Sequence, residues 1–260
     1  MRKKNILLYT LASLLFSALA GNAAEKTAYY EIKVYRLASN DQVKRVGDFL
    51  QTAYLPALHR AGISKVGVFH LIGNDTATDK RIYVFIPLKS IEQVSSLEDL
   101  LLKDPQLQTD GDAYWNAAYN APAYQRIENI VLKAFPLMPS FSVPNLSGNK
   151  TDRVYELRSY EGGSERLYRQ KVKMFNDGGE IALFKRLNFN AVFYAEVIAG
   201  SKMPNLMYMT SFNNKADRDE HWKKFGEDPE WNKLKLMPEY LNTVSKNEQL
   251  FLHPAEFSEL

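Results

Sequence analysis

The segment VYELRSY at residues 154–160 decides the fold, because a close copy of it, YYEIKVY, stands at residues 29–35. Apolar and polar residues alternate along both segments, which is typical of a β-strand whose two faces lie in different surroundings. A constant shift of 125 residues superposes the two halves of the chain. The superposed pairs include Tyr30 and Tyr155, Glu31 and Glu156, Tyr35 and Tyr160, and Tyr83 and Tyr208. The chain therefore contains a tandem repeat.

Each copy has the same order of predicted elements: strand, helix, strand, strand, helix, strand. The predicted strands cover residues 29–37, 63–72, 81–88 and 124–134 in the first copy, and 153–160, 188–198, 205–212 and 243–253 in the second. Helices are predicted at 41–60, 90–102, 164–186 and 215–225. The order βαββαβ is that of the ferredoxin-like unit, which covers one sheet face with helices and leaves the other bare. We therefore expect an α+β fold in which two tandem ferredoxin-like domains pack sheet to sheet as an intramolecular dimeric α/β barrel.

A proline-rich segment separates the copies. Pro136, Pro139 and Pro144 lie among Ser, Asn and Gly, a composition that continues neither a helix nor a central strand. The predicted division is a first domain at 25–137, a linker at 138–150 and a second domain at 151–260.

Residues 1–24 have the pattern of a signal peptide. Three basic residues at 2–4 precede an apolar run at 6–19 that is too short for a typical transmembrane helix, and small residues follow it. Cleavage is predicted after Ala20 or Ala24, with an uncleaved membrane anchor as the alternative. The expectation is a bacterial protein exported to the periplasm or secreted, without a membrane segment after cleavage.

Composition excludes several classes of protein. Without residues 1–24, the basic residues fall from 33 to 30 and equal the 30 acidic ones, so we expect no nucleic-acid partner. The chain has no cysteine. It is therefore neither a thiol enzyme nor a zinc-thiolate protein, and it has no disulfides.

Charged and phenolic side chains are predicted to share one face of the central strands. By alternation, the first copy contributes Glu31, Lys33, Tyr35 and Tyr83, and the second copy contributes Glu156, Arg158, Tyr160 and Tyr208. The apolar set on the opposite face is expected to meet the helices. If the two sheets pack through the polar faces, the charges leave bulk water and need partners. Three interpretations stay open: a polar network that fixes the docking of the copies, a solvated outer face, and the wall of a small-molecule cavity.

The four histidines lack the spacing of a helical metal pair, and no metal site is predicted. His70 lies in a predicted strand and could face a cavity, where it could ligate haem iron or act as a base. A histidine satisfied within the sheet is the simpler interpretation. No cofactor is therefore predicted, with haem as the alternative.

Two segments of the second copy resemble the NIPSNAP family, whose domains belong to the dimeric α/β-barrel superfamily. These segments are RVYELRSY at 153–160 and ADRDEHWKKFGEDPEWNKLK at 216–235. The first copy departs from the family pattern after Asp104-Pro105, where Gln106-Leu107 replaces Glu-Trp. The resemblance implies the fold and implies relatives that include cofactor-free monooxygenases and haem enzymes, whose chemistry lies between sheet and helices.

The function expected from the sequence is binding of a small molecule in a cavity between sheets and helices. A cofactor-free oxygenase or isomerase that uses Tyr160 or His70 for proton transfer, a haem-dependent enzyme, and a non-catalytic interaction scaffold are the alternatives. Whether the protein is an enzyme is left open. The two domains of one chain are expected to pair with each other, and further association of chains is left open.

Overall fold

A computed structural model describes residues 27–260, so the predicted signal peptide lies outside the described residues. Eight antiparallel strands close into a barrel in the order β1-β3-β2-β8-β5-β7-β6-β4. The strands are β1 (Tyr29–Leu37), β2 (Gly67–Leu71), β3 (Lys80–Leu88), β4 (Arg126–Ala134), β5 (Val154–Glu161), β6 (Ala191–Ala199), β7 (Asn205–Phe212) and β8 (Lys246–Pro254).

Each copy contributes one four-stranded sheet to the barrel. The outer strands of each sheet pair with those of the other copy, β2 with β8 and β4 with β6. Every strand therefore has two neighbours, and the barrel has no open edge. The predicted α+β fold, with the two copies forming an intramolecular dimeric barrel, is confirmed.

Helices cover the outside of both sheets. They are α1 (Asn40–Phe49), α2 (Leu55–Arg60), α3 (Ile91–Leu102), α4 (Pro105–Asp110) and α5 (Asp112–Trp115) in the first copy, and α6 (Glu165–Asn176), α7 (Glu180–Arg186), α8 (Lys215–Glu227) and α9 (Pro229–Leu234) in the second. A π-helical turn joins α1 to α2. The oxygens of Ser39 and Ser164 accept from backbone N–H groups at the starts of α1 and α6, as N-cap residues do. Among residues 27–260, no helix is both long and apolar enough to cross a membrane.

The apolar core has three main layers: the barrel interior and one helix–sheet layer in each copy. The barrel interior is filled by aromatic side chains from both copies. Phe85 of β3 and Phe193 of β6 stack with ring centroids 5.2 Å apart, and Phe69 lies 4.8 Å from Tyr155. These rings cross the boundary between the copies, so the two sheets share one core.

The alternation along β1 and β5 is as predicted, but its assignment to faces is wrong. Tyr30 and Ile32 point into the barrel, whereas Tyr35 belongs to the layer beneath the helices. In β5, likewise, Leu157 points inward and Tyr160 faces the helices. The barrel interior is lined by both sheets and takes the apolar set, while helix side chains can pair with the charged set.

The third strands of the two copies are offset by one residue from the 125-residue shift that relates their first strands. Lys33 lies opposite Val84, whereas its counterpart Arg158 lies opposite Tyr208. Val84, and not Tyr83, therefore occupies the position equivalent to Tyr208. Because one residue changes the face of a strand, Tyr83 points into the barrel and Tyr208 points to the helices.

The linker lies against the barrel. Its Pro139 carbonyl accepts from the Ala28 N–H at 2.8 Å, and the Ser142 N–H donates to the Val192 carbonyl at 2.9 Å. Phe141 contacts Phe85 edge to face, with centroids 5.8 Å apart. The linker thus covers one end of the barrel.

Candidate functional site

Glu156 is the centre of a buried polar network between β5 and α8. Its carboxylate is 0% exposed and accepts from Arg158 Nε at 2.7 Å. Arg218 of α8 donates to it through Nε at 2.9 Å and Nη2 at 2.7 Å. Trp222, one turn further along α8, donates from Nε1 at 2.6 Å. Three side chains therefore satisfy both carboxylate oxygens.

The network continues from Arg158 to two tyrosines. The Arg158 guanidinium lies 3.6 Å from the Trp222 ring centroid, a cation–π contact, and its Nη1 donates to the Tyr160 hydroxyl at 3.1 Å. The Tyr160 and Tyr208 hydroxyls are hydrogen-bonded at 2.7 Å. Burial raises the pKa of Tyr208 well above its ordinary value, and the neighbouring Tyr160 adds to this shift. Tyr208 therefore stays protonated at neutral pH.

A second buried ion pair joins α6 to α7. Lys171 Nζ donates to Glu180 at 2.8 Å, and both side chains are almost fully buried. The Lys171 ammonium also lies 4.8 Å from the Phe175 ring and 5.8 Å from the Trp231 ring. Burial raises the pKa of Glu180, and the charge of Lys171 opposes this shift. The pair fixes the two helices where a buried charge on either one alone would be costly.

These contacts make the network a clamp that holds helices on the sheet of the second copy. It does not lie between the two copies, where one of the three interpretations of the sequence placed it, because its strand face points away from the barrel. Tyr160 hydrogen-bonds only within the network in the described structure, and proton transfer by Tyr160 would require a substrate in contact with its hydroxyl.

Three of the predicted residues of the first copy, Glu31, Lys33 and Tyr35, lie on the helix side of its sheet, whereas Tyr83 points into the barrel, and none of the four contacts Glu156 in the described structure. Lys33 Nζ is 3.8 Å from Glu31, whose pKa is raised by burial against the opposing charge of Lys33. Tyr35 packs edge to face against Tyr114, with centroids 6.3 Å apart, and burial raises its pKa far above the ordinary value. Their role in ligand binding stays a prediction.

His70 faces the outside of the barrel. It lies opposite Ile82, which packs under the first-copy helices, and opposite His253 across the boundary between the copies. Burial lowers the pKa of His70. His70 is not among the residues that line the linker segment's cleft or the cavity inside the barrel, both described below. Haem ligation by His70 stays an alternative. Residues 27–260 also contain no group of three His, Asp or Glu side chains that could hold a metal ion.

Sequence reasoning missed Arg218 and Trp222 of the Glu156 network, and it also missed the buried pair Lys171–Glu180. Arg218 lies in a highly charged helix, yet its side chain is only 13% exposed. A signal was present in the spacing, because Arg218 and Trp222 are four residues apart and therefore project from one side of the helix.

A cleft opens between the linker and the helix–sheet layer of the second copy; we call it the linker cleft. Its volume is about 480 Å³. Phe184 of α7 and Tyr194 of β6 contribute to its lining, and Met138 and Val143 line it from the linker. Lys185 is the one charged residue among its described lining residues. This cleft touches the network indirectly: Tyr194 and Phe184 both contact the Tyr208 ring, with centroids 5.6 and 5.7 Å away.

Comparison with known families shows which family the second copy resembles. The NIPSNAP family model matches residues 155–259, so the resemblance predicted from the sequence is confirmed for that copy. No curated protein sequence matches the chain significantly.

Solved structures show the same fold over nearly the whole chain. A monooxygenase-like protein from Lactobacillus acidophilus superposes with a TM-score of 0.56 at 13% identity, over 88% of this chain and 94% of that one. A monooxygenase-like protein from Fusobacterium nucleatum gives 0.57 at 4% identity, over 88% and 93%. An anthrone oxidase-like protein gives 0.52 at 9% identity, over 89% and 93%. At these identities the likeness is one of fold alone.

Proposed function

We propose that this protein is an exported small-molecule-binding protein and that the linker cleft is its binding site. The observation that carries the proposal is the cleft itself, a concavity of about 480 Å³ between the linker and the helix–sheet layer, lined by apolar side chains and by polar ones such as Asn188 and Asn190. Binding sites for small ligands are typically concavities of this volume that combine apolar surface with a few polar groups. The Glu156 network, by contrast, satisfies its own charges.

The lining of the cleft favours a flat apolar ligand with an acidic group. Leu137, which precedes the linker, and Val143 within it are 58% and 48% exposed and provide accessible apolar surface above a floor of buried aromatic rings. Lys185 supplies one positive charge at the edge, without a carboxylate among the described lining residues to neutralise it. An aromatic carboxylate or sulfonate would place its ring against this apolar surface and its charge near Lys185.

The clamp described above supports this site from beneath. Phe184 and Tyr194 rest on Tyr208, which is held by the Tyr160 hydroxyl. A binding surface whose side chains are fixed before the ligand arrives loses less entropy on binding. We therefore assign the polar network a positioning role under the cleft.

The test uses 1-anilinonaphthalene-8-sulfonate, a fluorescent aromatic sulfonate, with the protein lacking residues 1–24. Saturable binding at one site per chain is expected, together with a ligand-dependent rise in Tm. Val143→Trp should fill the cleft from the linker, where Val143 is 48% exposed, and weaken binding by about tenfold or more. Lys185→Gln should weaken binding of the sulfonate more than that of an uncharged naphthalene.

Leu241→Trp is the matched control, because Leu241 is 45% exposed and is not among the residues lining the cleft. This variant should bind like the wild type. Binding that is not saturable, or that is equally strong in Val143→Trp and the wild type, would exclude the linker cleft as the site.

A further inference from the structure

The barrel interior is closed by aromatic rings along most of its length, but a cavity remains at the end where β1 and β5 finish; we call it the barrel mouth. Its volume is about 40 Å³, and both copies line it. A site for one water molecule needs about 10–15 Å³ on this measure, so the mouth holds roughly three such volumes. It is a space for a molecule of a few non-hydrogen atoms, far smaller than the linker cleft.

Equivalent strand positions of the two copies line the mouth, but the side chains at these positions differ in chemistry. Val34 lies opposite Glu128 in the first copy, and Ser159 lies opposite Glu248 in the second. A carboxylate is thus retained on both sides, while an aliphatic side chain faces a hydroxyl. The third strands differ as well, with Arg81 opposite Arg36 in one copy and Asn205 opposite Glu161 in the other.

The charges around the mouth are already paired. Arg36 contacts Asp79 at 3.1 Å and Glu128 at 3.5 Å. Arg81 also pairs with Asp79, and Lys202 of the β6–β7 turn pairs with Glu248. A charged ligand would have to break one of these pairs, so the mouth favours an uncharged one.

Within residues 27–260, one polar group in the mouth has an atom without a hydrogen-bond partner. Asn205 is 2% exposed; its Nδ2 donates to Ser159 Oγ at 2.9 Å, and its Oδ1 accepts from no group of these residues. Rotating the amide by half a turn exchanges its oxygen and nitrogen, and the nitrogen then becomes the atom without a partner. In either orientation a buried polar atom needs a partner from within the cavity.

A second polar group lies across the same cavity. Tyr83 accepts from Arg81 Nη1 at 3.3 Å, which leaves its own hydroxyl hydrogen free to donate. The mouth therefore offers an amide on the side of the second copy and a hydroxyl donor on the side of the first. A single small group that both donates and accepts hydrogen bonds would satisfy both.

We propose that the barrel mouth binds a small uncharged molecule with an N–H donor and a carbonyl acceptor, of the size of a primary amide. The N–H of this molecule donates to Asn205 Oδ1, and its carbonyl oxygen accepts from Tyr83. This site is independent of the linker cleft, because it lies within the barrel and shares no lining residue with that cleft.

The test is a titration of the ¹⁵N-labelled protein with acetamide, followed through the side-chain amide signals of asparagine. The Asn205 signal should shift saturably, and the signals of exposed asparagines should not. N,N-dimethylacetamide, which is larger and has no N–H, should leave the Asn205 signal in place. Acetate, which has the shape of acetamide but a negative charge, should also fail to bind.

Asn205→Leu removes the amide at similar volume and should weaken acetamide binding by about tenfold or more, as followed by the Tyr83 ring signals. The comparison of acetamide with dimethylacetamide in the wild type tests the proposal even if this variant folds poorly. A shift that does not saturate, or one that both amides cause equally, would overturn the proposal and show that water alone occupies the mouth.

Discussion

The two copies share one backbone plan but differ in chemistry at one pair of equivalent positions between helices and sheet. In the second copy, Lys171 and Glu180 form a buried ion pair. At the equivalent positions of the first copy stand Val46 and Leu55, both buried in an apolar layer. Because both layers support the same four-stranded sheet, an ion pair at these two positions is not a requirement of this fold. The Lys171–Glu180 pair is therefore a feature of the second copy.

The largest effect is expected when only one residue of the buried ion pair in the second copy is replaced by its first-copy counterpart. Lys171→Val leaves Glu180 buried without its partner and should lower the free energy of unfolding by about 3–5 kcal/mol. The double variant Lys171→Val/Glu180→Leu reproduces the apolar pair of the first copy and should recover most of this loss. Guanidinium denaturation of the three proteins measures both effects. A double variant as unstable as the single one would show that the layers are not interchangeable.

The next effect concerns α8, where the second copy has Trp222 and the first copy has an exposed Glu98. Trp222→Phe retains the ring but removes the hydrogen bond to the Glu156 carboxylate, which should cost about 2 kcal/mol. Trp231→Phe is the control, because Trp231 packs on Phe225 without a contact to Glu156. Equal losses in the two variants would mean that ring area, and not the hydrogen bond, holds α8.

A smaller effect should appear as a dependence on pH in the first copy. Burial raises the pKa of Glu31 above its ordinary value of 4.5, so the folded protein binds this proton more tightly than the unfolded chain does. The resulting stabilisation is fully present below pH 4.5 and is lost as the pH rises through the raised value. The glutamine of Glu31→Gln cannot ionise. The stability of this variant relative to the wild type should therefore rise between about pH 4 and 7, the range in which a carboxyl with a raised pKa titrates. Urea denaturation across this range measures the difference, and a constant difference would contradict the prediction.

The smallest effect should be the same in both copies. Asp104 begins α4 and pairs with Arg60 at 2.7 Å, and Asp228 begins α9 and pairs with Arg186 at 2.9 Å. Arg60→Gln and Arg186→Gln should each lower Tm slightly and by similar amounts, because the pairs are partly exposed and both Asp residues keep their bonds to the helix starts. A much larger loss in one variant would show that the shared Asp-Pro element differs in role between the copies.

The sequence was sufficient to predict the fold because the repeat fixes the order of elements. The bare faces of the two sheets can then be buried against each other. The sequence was not sufficient for the faces of β1 and β5. Alternation says that Glu156 and Leu157 point apart, but not which of them points inward, because that depends on what the helices offer. Arg218 and Trp222 make the helix side acceptable to Glu156, and they are more than sixty residues away along the chain.

The sequence assigned Tyr83 to the wrong face of its strand for a different reason. A shift of 125 residues superposes Tyr83 on Tyr208, but the strand pairing requires Val84 at that position. Similar residue types at neighbouring positions conceal a displacement of one residue, and in a strand that displacement changes the face. The linker cleft could not be predicted at all, since it forms where the linker crosses α7 and β6, and the sequence does not say where a connecting segment lies.

The barrel mouth lies where the two copies meet, and the linker makes them parts of a single gene product. In a barrel assembled from two identical chains, any substitution at such a position would appear twice, so the two sides of the cavity would carry the same residues. Covalent joining removes this symmetry. Arg81 and Asn205, or Val34 and Ser159, can then be inherited and selected separately, and a central cavity can acquire two different sides without any change to the architecture around it.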